Sequence, residues 1–198
     1  MPVENELLNK TTNRMPPSGQ RDNTMSQENN TDQSAVERFF RGYASLDLPL
    51  LASSLHPEYR FSDGGFPDLN RKRGEAMWAM FILNHKNNEI NCTTHQIHEG
   101  KDKDHPSADY VVKYKFEGRP VENHIHSEFE LKDGLIYRHV DSFDFYAWTI
   151  QTKGLVGRLL GWTQFFQSKV QSIGGAKLDH FISEHPEYQE TTPTTTEK

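Results

Sequence analysis

One cysteine in 198 residues, Cys92, leaves no disulfide framework within the chain and no cysteine-based zinc cluster. The expectation that follows is a cytoplasmic protein. No apolar run approaches the roughly 20 residues that a membrane span needs, and no basic start precedes an apolar signal-type stretch. Basic residues are not gathered on one segment either: "NRKR" at 70–73 is the one short cluster, and the formal charge is −6. Nucleic acid is therefore not an expected partner. Residues 1–33 contain no aromatic residue and are rich in Asn, Thr, Gln and Pro, so they cannot bury enough apolar surface to offset ordering. We expect a disordered arm over 1–33 and a disordered tail of similar composition over 186–198.

Between these ends the aromatic residues accumulate, and they supply 11% of the whole chain. One main domain is expected over 34–150, with a C-terminal helical extension over 151–185. In "SAVERFFRGYASL", Ser34 and Glu37 have capping-box spacing, and Val36, Phe39, Phe40 and Tyr43 recur at helical intervals. "DLPLLASSL" reads as a short second helix with Asp47 as its N-cap. "EYRFSDGG" alternates, so Tyr59, Phe61 and Asp63 share one face of a strand. A third helix follows in "RGEAMWAMFILNHK". The segments 89–98, 108–117, 121–131 and 135–145 then read as four strands joined by short links, hence antiparallel neighbours. The remainder is helical in pieces, with breaks expected at Gly154, Gly161 and Gly174–Gly175. Helices, a meander and a capping helix make an α+β fold.

The stretch "EGRPVENHIHSEFELKDG" begins like a cupin metal motif, with His124-x-His126 and Glu130. Strand parity argues against that reading. Val121, Asn123, Ile125, Ser127, Phe129 and Leu131 face one way, and the histidines and Glu130 face the other, away from the apolar side. No metal site is expected, and no cofactor.

The phrase "VERFFRGYASLDLPLLASSLHPEYRFSDGG" resembles the opening of the nuclear transport factor 2-like superfamily, which includes ketosteroid isomerases, SnoaL-like polyketide cyclases and limonene-epoxide hydrolases. "RHVDSFDFYAW" followed by "LLGW" is similar to bacterial SnoaL-like members. The resemblance covers about 34 to 150 and implies a cone: a curved antiparallel sheet wrapped around the long N-terminal helix, with an apolar pocket at its open end. It also implies that Asp63 falls where ketosteroid isomerases place the general base. Phe39 falls where they place the oxyanion tyrosine, and Ser127 near their protonated aspartic acid. Two of those three parts are missing, so steroid isomerisation is a poor fit.

Other polar groups can fill the pocket. If "KDG" is a three-residue turn, Ser127 lies opposite His139 and Ile125 opposite Asp141, and His139, Asp141 and Phe143 face inward. A two-residue turn would reverse the parity and put Arg138 and Val140 inside. The expected catalytic residues are Asp63, as a general base or else merely the cap of its turn, with His139 and Asp141 as an orienting pair. Tyr43, Tyr59, Phe61, Trp78, Ser127, Phe129 and Phe143 are expected to bind the ligand. The expected function is a cofactor-independent isomerase, cyclase or hydrolase acting on a small lipophilic molecule by carboxylate and histidine acid-base chemistry. The alternative is a non-catalytic lipophile binder or dimeric scaffold of the same fold. A homodimer is expected, and the segment 155–173 is expected to be a lid or dimer flank rather than a membrane-surface helix.

Overall fold

The computed structural model describes residues 34–84, 90–100 and 102–190, the side chains of 93–95 excepted. The expected arm over 1–33 lies outside the described residues, as does the tail from 191. Helix α1 spans Ala35–Ser45 and starts with the capping box read from the sequence: Ser34 Oγ accepts from the Glu37 amide, and Glu37 accepts from the Ser34 amide. It stops at Leu46, which takes a left-handed conformation. Helix α2, Leu48–Ala52, is capped by Asp47, whose carboxylate accepts from the Leu50 amide. The two helices touch at Gly42, where a Cβ would lie 2.5 Å from the Leu51 nitrogen, so a larger residue there would force them apart.

Strand β1 is Leu55–Ser62 and helix α3 is Arg71–Asn84; β2 (Asn91–His98), β3 (Ser107–Phe116), β4 (Arg119–Lys132) and β5 (Leu135–Phe143) form the meander. The sheet order is β1-β5-β4-β3-β2. Pairing within the meander is antiparallel, but β1 runs parallel to β5, which corrects the expectation of a wholly antiparallel sheet. Helices α1 and α2 precede β1, α3 fills the link from β1 to β2, and β1 reaches its neighbour β5 only through α3 and the other three strands.

The β4–β5 turn corrects a second expectation. It has two residues, Asp133 and Gly134, both with positive φ, and Lys132 pairs with Leu135. The inward parity of β5 survives because the register shifts beyond Leu131↔Ile136. Tyr137 is the extra residue, a β-bulge, and it restores His139, Asp141 and Phe143 to one face. The pairs are then Phe129↔His139, Ser127↔Asp141 and Ile125↔Phe143. Each cross-strand partner is two residues from the expected one.

The concave face of the curved, unclosed sheet packs on α1. Phe40 meets Tyr110 edge-on at 5.0 Å between ring centres, and Phe39 meets His139 at 5.1 Å. After β5 come α4 (Phe145–Lys153), α5 (Leu155–Leu160) and α6 (Gln164–Glu184). The expected breaks at Gly154 and Gly161 are present, but α6 runs unbroken through Gly174 and Gly175. A single 3-10 turn at Pro186–Tyr188 extends the ordered chain beyond the expected boundary at 185, with Tyr188 packed 5.9 Å from Phe181. On the opposite face of β4, His124 pairs with Glu122 and His126 with Asp109, both exposed. Among the described residues, no group of histidine, cysteine or carboxylate side chains is disposed to hold a metal ion.

Candidate functional site

A cavity of about 520 Å³ opens between the concave face of the sheet, α1, α3 and α6. Its wall follows from strand parity. On β3, Tyr110, Val112 and Tyr114 alternate with outward residues; on β4, Asn123 and Ile125 do so; on β5, Asp141 and Phe143 do so. Helix α1 contributes Tyr43, and α3 contributes Met77, Trp78, Phe81 and Asn84. Rings and aliphatic chains dominate this wall; Asp63 and Asp141 interrupt it, and Glu117, Lys153, Lys177, His180 and Glu184 also line it.

Asp63 sits just beyond β1, where the chain turns back on itself. The Asp63 amide donates to the Phe66 carbonyl at 2.8 Å, and Phe61 and Leu69 exchange backbone hydrogen bonds below the turn. Oδ1 of Asp63 accepts from the amides of Gly65 at 2.8 Å and Phe66 at 2.5 Å. The residue is therefore a turn cap as well as a cavity residue. Both amides use the same oxygen, and among the described residues no donor engages Oδ2. Removal from bulk water pushes the Asp63 carboxyl up to about 7, and the nearby charge of Asp141 adds to the rise, against the opposing pull of the two amides. Its accessible surface is only partly lost, because the surface that remains faces the cavity.

Asp141 is held differently. Oδ2 accepts from the Tyr110 hydroxyl at 2.8 Å, and Oδ1 takes the Ser127 hydroxyl in a short bond and His139 Nε2 at 2.8 Å. Three donors on one carboxylate suit its ionised form. The far ring nitrogen, Nδ1 of His139, lies 3.2 Å from the Tyr59 hydroxyl, which itself accepts from Trp78 Nε1 at 3.3 Å. Since the Tyr59 oxygen accepts the indole hydrogen bond, its O–H is left to donate to Nδ1. With Nε2 donating to Asp141 and Nδ1 accepting from Tyr59, the ring matches both partners. The ring is wholly buried, stacked on Trp78 and edged by Phe39 and Phe61.

The sequence-derived residues thus divide. Asp63, Asp141, Tyr43, Phe61, Trp78 and Phe143 line the cavity. His139, Ser127, Tyr59 and Phe129 are buried one layer behind the wall, where they orient Asp141 or pack against the histidine. His139 touches the cavity only through Asp141. Sequence reasoning missed Tyr110, although the inward run of "SADYVVKYKF" puts Tyr110 and Tyr114 on the apolar face. Burial raises the Tyr110 phenol well above its ordinary value, so it remains a donor. Asn84 and Asn123 on the wall were missed as well. Helix α6, whose first half falls in the segment expected as a lid or dimer flank, closes one side with Val170, Ile173 and Phe181, while the Gln167 and Gln171 side-chain amides donate to the Gly64 carbonyl in the turn that carries Asp63.

Comparison with known proteins places this geometry. A family model described as a SnoaL-like domain matches residues 36–139. Among solved structures, Bal32a from a soil-derived mobile gene cassette aligns with a TM-score of 0.53 at 14% identity, over 60% of this chain and 94% of that one. A protein of ketosteroid isomerase-like fold from Catenulispora acidiphila, in complex with trimethylamine, aligns with a TM-score of 0.52 at 14% identity, over 65% and 96%. A putative polyketide cyclase from Silicibacter sp. aligns with a TM-score of 0.50 at 19% identity, over 59% and 91%. At these identities the likeness is one of fold. The comparison with curated proteins finds no match.

Proposed function

Because the chain belongs to the SnoaL-like domain family and its curved sheet borders a cavity, we propose that the cavity carries out acid-base chemistry on a small lipophilic molecule without a cofactor. The observation behind this reading is that Asp63 and Asp141 face the same apolar cavity in unequal states. Asp141 is saturated with donors, whereas Asp63 has one unengaged oxygen and a carboxyl raised to about 7. A base is most useful when its pKa lies near the working pH. Asp63 is therefore the proton-abstracting group, and His139 is a positioning residue that fixes Asp141. The Tyr43 hydroxyl has no hydrogen-bond partner among the described residues and lines the cavity, so it is the donor available to a developing oxyanion. Isomerisation, cyclisation and epoxide opening all use such a set.

The test asks for proton abstraction before asking for a named substrate. A panel of apolar ketones with ionisable α-hydrogens, together with apolar epoxides, is incubated with the protein in heavy water and followed by NMR. Deuterium incorporation or ring opening should occur for at least one compound and fall by about 10²-fold or more in Asp63→Asn. Turnover at the wild-type rate in that variant would remove Asp63 from the mechanism. The predominantly apolar wall also favours a second reading, a lipophile binder. In that case a bound compound would raise the melting temperature of wild type and Asp63→Asn equally, and no member of the panel would react.

A further inference from the structure

Helix α5 is packed in reverse. Its sequence with the two residues that follow, "LVGRLLGW", would ordinarily bury its leucines. Here Gly157 and Gly161, four apart on one face, meet α4 instead: a Cβ on Gly157 would lie 2.0 Å from the Thr149 carbonyl oxygen, and one on Gly161 would lie 1.9 Å from Thr149 Oγ1. The contact is fastened by the Tyr146 hydroxyl, which donates to the Arg158 carbonyl at 2.9 Å. Every large apolar side chain is consequently turned outward. Leu155 is 77% exposed, Leu159 70%, Trp162 73% and Phe165 79%, with Val156 and Leu160 also exposed. A contiguous apolar patch of this kind marks an interaction surface.

The charge around it identifies the partner. Between Asp144 and Asp179 the chain has no acidic residue, while Lys153, Arg158, Lys169 and Lys177 are basic, within a protein whose formal charge is −6. Lys153 is paired with Glu117 at 2.7 Å, and Lys177 lies 3.8 Å from the same carboxylate. Arg158 and Lys169 are exposed and have no acidic partner among the described residues. They are interleaved with the apolar groups, since Arg158 precedes Trp162 by four positions and Lys169 follows Phe165 by four. A second copy meeting this face by two-fold symmetry would set these cations against their own copies. The expected dimer flank is thus disfavoured here. Leucines, a tryptophan and unpaired cations are the makings of an element that lies in the interface of an anionic bilayer.

We propose that the α5 face, with the start of α6, is a peripheral docking surface for anionic lipid membranes. It inserts its leucines, Trp162 and Phe165 at headgroup depth, while Arg158 and Lys169 contact lipid phosphates and carboxylates. No described helix is long and apolar enough to cross a membrane, so the attachment is superficial. Helix α6 also walls the cavity, through Val170 and Ile173, so docking would put the cavity's helical wall beside a lipophilic reservoir. The inference does not depend on catalysis.

The experiment is flotation of the full-length chain with vesicles of phosphatidylcholine alone or of equal parts phosphatidylcholine and phosphatidylserine. Binding is expected to the mixed vesicles, weakened by salt, and little to the neutral ones. Leu159→Ser with Trp162→Ser and Phe165→Ser should lower binding by about tenfold or more, as should Arg158→Glu with Lys169→Glu. Unchanged circular dichroism would show that these exposed positions leave the fold intact. Three results overturn the proposal: no binding to mixed vesicles, equal binding by the serine variant, or a wild-type dimer that the serine variant converts to monomer. Binding that appears only after residues 1–33 are removed would also overturn it, since the arm would then be the native cover.

Discussion

At the scale of single residues, Asp63 combines two roles that the sequence presented as alternatives. One oxygen caps the turn and the other faces the cavity, so an asparagine can keep the cap while losing the base. This gives Asp63→Asn a stability signature as well as a kinetic one. The folded carboxyl is raised from 3.8 to about 7, so the native state holds its proton more tightly than the unfolded chain does. The resulting stabilisation is complete below about pH 4 and disappears as the pH rises through about 7. Wild type should therefore lose about 1–2 kcal/mol relative to Asp63→Asn between about pH 4 and pH 8, less than the full linkage because the carboxyl borders the cavity. Denaturant unfolding of both proteins across that range measures it. A constant difference would mean that Asp63 titrates as an ordinary surface carboxylate. Asp63 was legible in the sequence because it ends an aromatic strand face. Tyr110 was equally visible by parity, but nothing local marks a tyrosine as the partner of a carboxylate 31 positions away.

At the scale of elements, local signals carried far. The capping box at Ser34, the Asp47 cap and the outward parity of the β4 histidines are each fixed by side chains within a few positions, and each is present. What stayed hidden depends on compensation or on distant partners. A two-residue turn was read as reversing β5, yet the bulge at Tyr137 cancels the reversal. The parallel β1–β5 pairing joins segments separated by one helix and three strands, so no local pattern announces it. Helix α5 defeats amphipathic reasoning outright, since its glycines supply the buried face. That packing predicts a local effect: Gly157→Val should displace α5, costing about 1–3 kcal/mol of overpacking. Amide exchange over 154–162 should accelerate while the sheet and α1 keep their protection. Uniformly faster exchange throughout the domain would show that α5 is an integral part of the core.

At the scale of the whole molecule, the α+β class was readable because an ordered succession of helices and strands leaves few ways to bury their faces, whereas the cone and the SnoaL-like family were reached through the resemblance of the stretch from Val36 to Gly65 to known members. The chemistry was less readable, because it depends on which inward polar groups meet donors and which stay unengaged. The account rests on one physical contrast within a single cavity: Asp141 surrounded by donors and Asp63 poised near neutrality. Carboxyl-carbon NMR titration of the full chain, with the Asp63 resonance assigned by its absence in Asp63→Asn, tests that contrast directly. The expected midpoint is about 7, and it should fall in Asp141→Asn, which removes the neighbouring charge. A midpoint near 4, the ordinary range for an aspartate, unchanged by Asp141→Asn, would contradict the account.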